Sequence, residues 1–270
     1  MKICKQNGIQ WLIFELFSQN DNLIHGFSTR HSGCSRPPYD SLNLAFHVGD
    51  DPEAVIENRK RLCHALNFDL TDLTAGEQIH ADTIRIVTDQ DRGCGAFSYD
   101  NAFKGTDGFI TNQTGVVLSS YYADCVPLFI FDPIQRVVAL AHGGWKGTLK
   151  RIGAKTIRTM IQNFKTKPED CLIGIGPSIG PCCYEVDEKV LAPLKIEFPY
   201  WRDLIESMDG QKWFLDLWET NRKTFLEIGV KPENIEVSGL CTSCHHDLFF
   251  SYRAENGQTG RMASIIALKN

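Results

Sequence analysis

No stretch of this sequence approaches the roughly 18 consecutive apolar residues that a membrane-spanning helix requires, so a membrane partner is not expected. The nearest candidate, residues 1–22 (MKICKQNGIQWLIFELFSQNDN), is interrupted by Gln10 and Glu15 and ends without a small-residue cleavage site. It reads as a strand and not as an export signal. Positive charge is not in excess. With 28 Lys and Arg against 33 Asp and Glu, the formal charge of −5 offers no broad attraction to a phosphate backbone, and no nucleic-acid partner is expected. Low-complexity tracts, internal repeats and Ser/Gly-rich linkers are also missing. Nothing therefore divides the chain, and residues 1–270 are expected to form one domain. No GxGxxG follows an early strand, which argues against a bound dinucleotide.

What is present is an ordinary globular composition, 43% hydrophobic and 23% charged, with ten cysteines. Without an export signal the expected compartment is the reducing cytoplasm. There cysteines serve as thiols, metal ligands or a nucleophile, and disulfides are disfavoured.

Gly26 to Glu53 is rich in Gly, Ser, Pro and Asp and reads as a long loop, with a short strand expected within Ser41–Val48. A loop of that length in a compact domain is commonly functional. A helix should follow, capped by Asp51 and started by Pro52, with Val55, Leu62 and Leu66 on one face. Thr83–Val87, Gly108–Thr111, Val116–Tyr122, Pro127–Phe131, Arg136–Ala141 and Cys171–Ile175 read as strands. So do Ile235–Ser238, Leu248–Tyr252 and Ala263–Leu268. Helices are expected over Leu149–Phe164, after Asp187, and over Leu215–Ile228. Strands that are sometimes adjacent and sometimes separated by helices predict a mixed sheet or two packed sheets with helices outside, not a Rossmann fold.

Reactive side chains gather near strand ends. Cys125 lies at a break between two apolar strands in YYADCVPLF. His142 ends a strand in VVALAHGGWKGT, and His80 precedes one in GEQIHADTIRIV. Two imidazoles and a thiolate match the three-ligand set of a catalytic zinc, with a position open for water or substrate. The same trio also suits a Cys nucleophile with a His base. The spacing does not choose between these, nor does it exclude an ordinary buried Cys with satisfied core histidines. HGGWKGT can present backbone N–H groups and Lys146 to an anion, or be a plain strand-to-helix turn. Cys241-Thr-Ser-Cys244-His245-His246 has metal-ligand spacing, and Cys182 and Cys183 could complete a four-ligand set.

In order along the chain stand GFSTRHSG, SLNLAFHVGDD, EQIHAD, ADCVPL, AHGGWKGT, GPSIGPCCYEV, CTSC, FFSYR and TGR. Together they resemble the YfiH/YlmD family, related to the vertebrate laccase-domain protein and long labelled multicopper polyphenol oxidoreductase. The resemblance runs from about residue 25 to 268. Departures are small: HGGWKG stands where HAGWRG is commoner, and Ala254 where a second Arg often follows. The resemblance implies an α+β, four-layer αββα sandwich with two mixed sheets, similar to the catalytic domain of cytotoxic necrotizing factor, a Cys-His deamidase. It implies a metal, usually described as zinc, on His80, Cys125 and His142, which are then also the catalytic residues. It further implies phosphorolysis of adenosine, guanosine, inosine and methylthioadenosine, and hydrolytic deamination of adenosine.

On that basis purine nucleosides and orthophosphate are the expected partners of what is expected to be a monomer. Arg30, Arg253 and Arg261 are candidate phosphate holders, since a guanidinium matches phosphate oxygens in a fork. Trp145 or Tyr252 could stack on a purine. Two alternatives stay open. A copper-dependent polyphenol oxidase is poorly supported by eight histidines without one HxH pair. A Cys-His hydrolase acting on peptide or cell-wall precursor bonds would need Cys125 as a metal-free thiolate with His142 as base.

Overall fold

The computed structural model describes residues 1–208 and 212–269. Two six-stranded sheets dominate it. In spatial order the first runs Lys2–Gln6, Ile9–Ile13, Leu23–Ser28, Met262–Leu268, Val117–Tyr122 and Leu73–Ala75. The second runs Ile235–Val237, Leu172–Ile175, Val126–Asp132, Val137–Gly143, Gly108–Thr111 and Ile84–Ile86. Both are mixed: most neighbours are antiparallel, and parallel pairs lie at the edges. A three-stranded sheet, Glu185–Val186, Lys212–Leu215 and Ile205–Met208, stands apart.

The longest strands are apolar on both faces because each face meets a different layer. From Val126–Asp132 and Val137–Gly143, the residues Phe129, Phe131, Val138 and Leu140 point between the sheets and meet Phe27, Leu118, Tyr122 and Ile266. Their alternates Leu128, Ile130, Ala139 and Ala141 face the opposite way, onto Ile157 and Phe225. In the first sheet Val117, Ile265 and Ala267 turn outward onto Leu62 and Leu66. Among the described residues five helices complete the outer layers: α1 (Pro52–Ala65), α2 (Trp145–Leu149), α3 (Ile152–Phe164), α4 (Glu188–Glu197) and α5 (Leu217–Glu227). Helix α1 covers the first sheet and the others flank the second, giving the αββα sandwich expected from the sequence.

Helix α1 starts as its sequence dictates, with the Asp51 carboxylate accepting from Glu53 N–H and Pro52 in the first turn. Three expectations are corrected. The helix expected over Leu149–Phe164 is two helices, broken where Arg151 takes φ +57°. Leu248–Tyr252 is irregular chain that follows a run of turns and is not a strand. Phe249 and Phe250 are fully buried, and His245 C=O accepts from both Leu248 N–H and Phe249 N–H. Ser41–Val48 contains no strand, only a 3₁₀ turn at Phe46–Val48. There the buried Asn58 amide donates to Ser35 Oγ and to the carbonyls of Ser41 and Asn43, replacing a strand ladder with side-chain bonds.

Candidate active site

The chain passes from the first sheet to the second at Ala123–Cys125, directly between Val117–Tyr122 and Val126–Asp132. Asp124 turns the corner with φ +83°, a conformation costly for a residue with a Cβ unless its surroundings fix it. They do: its carboxylate accepts from Thr242 Oγ1 and Arg253 N–H, both at 2.7 Å, and its carbonyl accepts from Ile179 N–H. The turn delivers Cys125 to the head of the second sheet. On the adjacent antiparallel strand, His142 stands opposite Pro127. His80 arrives from the turn before Ile84–Ile86, also in the left-handed region at φ +60°.

The ligand atoms of His80, Cys125 and His142 lie within 4.8 Å of one another. His80 Nε2 is 3.6 Å from Cys125 Sγ. Zinc bonds of usual length in a tetrahedron put a nitrogen and a sulfur ~3.5 Å apart, so the donors fit that ion. Behind them Asp107 is wholly buried and bonds His142 Nδ1 at 2.9 Å. It also accepts the backbone N–H groups of Ile79, His80 and Ala81. One carboxylate thus orients one imidazole and fixes the turn that carries the other, as the outer partner of a metal ligand does.

The electrostatics agree with this arrangement. Burial alone would push the Cys125 thiol up, but the neighbouring His142 imidazolium and the His80 ring bring it down to about 6. Burial would likewise lower His142, yet the Cys125 thiolate and Asp107 raise it to about 9. Burial opposes ionisation of Asp107, but the bonds from His142 and the backbone N–H groups hold its pKa below the usual carboxylate range. Without a metal, the three groups form a buried thiolate–imidazolium–carboxylate chain.

These residues form part of a cavity of about 510 Å³, also lined by His47, Tyr121, Trp145, Tyr184, Tyr252, Arg253 and Arg261. That volume suits a small-molecule ligand. A hollow of about 620 Å³ beside Trp11, Phe68 and Asp69 is larger but coincides with no cluster of metal-ligating side chains among the described residues.

The candidate arginines are placed differently. Arg261 reaches the cavity, with Nη1 donating to the carbonyls of Thr259 and Gly260 and the guanidinium near the Tyr252 ring. Among the described residues its Nε and Nη2 have no acceptor. Arg253 lines the cavity, but its guanidinium donates to the carbonyls of Cys183 and Glu185. Arg30 lies outside the cavity lining. It donates to Asp40 and His246 carbonyls, pairs with Glu255 at 3.0 Å and stacks on Phe250.

Sequence reasoning missed Asp107, His47 and Arg59. Asp107 precedes a Gly at a strand start and looks like a turn residue; His47 lay inside a motif without a role. Arg59 is buried on α1, donates to the Leu44, Gly95 and Ala96 carbonyls and lies between the Phe46 and Tyr121 rings. It thereby braces the loop that carries His47.

The four-layer fold with a Cys/His cluster at the sheet crossing has clear relatives. A family model described as Multi-copper polyphenol oxidoreductase laccase matches residues 24–269, and the chain belongs to this family. It is 40% identical over 251 residues to a protein of Bacillus subtilis named Purine nucleoside phosphorylase YlmD, covering 93% of this chain and 90% of that one. The YlmD protein of Geobacillus stearothermophilus, with the same name, is 42% identical over 90% of this chain and 89% of its own. The crystal structure of a Bacillus licheniformis hypothetical protein, YfiH, superposes with a TM-score of 0.93 at 39% identity, covering 99% of each chain.

Proposed function

We propose that this protein is a zinc-dependent purine nucleoside enzyme, with phosphorolysis of adenosine, guanosine, inosine and methylthioadenosine and hydrolytic deamination of adenosine as its activities. The observation that carries the reading is the convergence of His80, Cys125 and His142 in a cavity that also receives Arg261 and aromatic side chains. The names of the relatives support the phosphorolytic part. The zinc and deamination parts rest on the donor set.

His80, Cys125 and His142 would hold the ion, which when bound lowers the pKa of water and polarises a purine nitrogen or exocyclic group. Asp107 keeps the His142 Nδ1 proton and so aims the other ring nitrogen at the cluster. Arg261 offers its unpaired guanidinium N–H groups to orthophosphate, and Arg253 adds positive charge while holding the Cys183–Glu185 wall. Tyr252 and Trp145 offer ring faces to the base. In phosphorolysis a phosphate oxygen bonds to the anomeric carbon as the glycosidic bond breaks, and the departing purine takes up a proton. In deamination water adds at C6 and ammonia leaves. We place the enzyme in the cytoplasm as a monomer, with residues 1–270 acting as one catalytic domain.

One observation favours a second reading. With no metal bound, Cys125, His142 and Asp107 have the order of a Cys-His-Asp hydrolase triad. The copper-oxidase reading is weaker. Among the described residues two histidines share the cluster, while His25 accepts from Phe14 N–H amid Phe14 and Phe17.

The test is to incubate metal-analysed protein with adenosine, with and without phosphate, and separate the products. Phosphate-dependent adenine supports phosphorolysis, and inosine formed without phosphate supports deamination. No product from adenosine, inosine or methylthioadenosine, with zinc bound, would overturn the proposal in favour of the hydrolase. Copper at the trio would restore the oxidase.

A further inference from the structure

A second group of metal-ligating side chains lies outside the described chemistry. Leu172–Ile175 and Ile235–Val237 are parallel neighbours, so the segments leaving them run side by side. Ser178 N–H donates to Leu240 C=O and Thr242 N–H to Ser178 C=O, with Ser178 paired to Cys241. This alignment brings Cys182 and Cys183 against the Cys241–Cys244 turn although about 60 residues separate them in sequence.

All four sulfurs lie within 4.8 Å of one another. Cys244 Sγ is 3.5 Å from Cys182 Sγ and 3.4 Å from Cys183 Sγ. A tetrahedron of four zinc–sulfur bonds, each about 2.3 Å, separates its sulfurs by ~3.8 Å. A disulfide would need about 2.05 Å, and all ten cysteines are free. Cys241 Sγ accepts the Gly180 N–H at 3.2 Å, a bond that favours thiolate over thiol. Four soft donors with no open position suit a structural ion. His245 and His246, adjacent in sequence, are not part of the group.

We propose that Cys182, Cys183, Cys241 and Cys244 bind a structural zinc ion, separate from the His80–Cys125–His142 cluster, that staples the wall of the catalytic cavity. The two segments it joins carry that wall. Ile179 and Tyr184 line the cavity, Thr242 Oγ1 holds the Asp124 carboxylate, and Cys183 C=O receives the Arg253 guanidinium. The ion closes a covalent loop between segments otherwise held by a few hydrogen bonds. It does so whatever reaction the cavity performs.

The experiment begins with the H80A/C125A/H142A variant, which removes the other cluster. Elemental analysis of the reduced full-length protein should find one zinc per chain, and adding Cys182→Ser with Cys244→Ser should reduce this to none. Cobalt loaded into the metal-stripped H80A/C125A/H142A protein should show intense thiolate charge-transfer absorption and tetrahedral ligand-field bands. In the same H80A/C125A/H142A protein four thiols should resist a thiol reagent until a chelator is added, and chelation should lower Tm. The proposal falls if the H80A/C125A/H142A protein binds neither zinc nor cobalt while remaining folded by circular dichroism. It also falls if reduced protein exposes all its surface thiols without a chelator, or if an iron–sulfur chromophore accompanies anaerobic purification.

Discussion

At the scale of single residues, the cluster makes sharply different demands on neighbours of similar appearance. Cys125 and His80 would contribute donor atoms directly, so Cys125→Ala or His80→Ala should lower kcat/KM by on the order of 10³-fold. The fold should stay near intact by circular dichroism, since both side chains line the cavity. Full activity in both variants would remove the trio from the mechanism. Asp107→Asn is expected to reduce metal affinity or turnover ~10–100-fold through His142. Metal titration of that variant, with His80 and Cys125 intact, checks this.

The ionised pair also sets a pH dependence for metal-stripped protein. The Cys125 thiol is depressed to about 6, so its stabilisation is lost as pH falls through that value. His142 is raised to about 9, so its stabilisation is lost as pH rises through that value. Tm should therefore be highest between these limits. Alkylation of Cys125 by iodoacetamide should begin near the lower one, well under the ordinary thiol range of about 8.5. An alkylation midpoint near the ordinary range would show that the pair does not form.

At the scale of elements, the approach of α2 to the cluster is set by glycine. A Cβ on Gly144, just ahead of that helix, would stand 2.8 Å from His80 Cδ2 and 3.2 Å from Cys125 Sγ. Gly144→Ala should therefore displace His80, weakening metal binding and activity together while leaving the strands intact. Unchanged metal affinity would show that the loop can yield. The same crowding divides the roles of HGGWKGT: Gly144 packs on the ligand cluster, Gly143 on Val126 and Leu128, and Lys146 is exposed against Trp145. The stretch from Gly26 to Glu53 is divided between cavity and fastening. Its far end brings His47 to the cavity, while Arg30 is consumed in fastening it to Asp40, His246 and Glu255.

At the scale of the whole molecule, the two sheets form a platform on which the site depends. Gly174, in the second sheet, lies under the Phe14 ring, and a Cβ there would be 2.5 Å from Phe14 Cε2. Overpacking of this kind costs ~1–3 kcal/mol, so Gly174→Ala should lower Tm by on the order of 5 °C. Because Gly174 lies away from the cavity lining, activity of the folded variant should be nearly unchanged at moderate temperature, which an activity-versus-temperature curve would show. Among the described residues no helix is long and apolar enough to cross a membrane.

Much of this was written in the sequence because burial leaves a pattern. Strands such as Val137–Gly143 and Met262–Leu268 are apolar runs since both faces are covered, and the Asp51-Pro52 start of α1 needs only local chemistry. Places at strand ends singled out Cys125, His80 and His142 as candidates, and the order of short motifs identified the αββα family. Tertiary structure decided the rest. Which arginine faces the cavity depends on carbonyls distant in sequence, which occupy Arg30 and Arg253 and leave part of Arg261 free. Leu248–Tyr252 has strand-like residues, but Phe249 and Phe250 are buried in irregular chain that lacks a neighbouring strand. Asp107 became the central orienting group only when the strand bearing His142 came beside it, because a buried carboxylate takes its role from the donors that surround it.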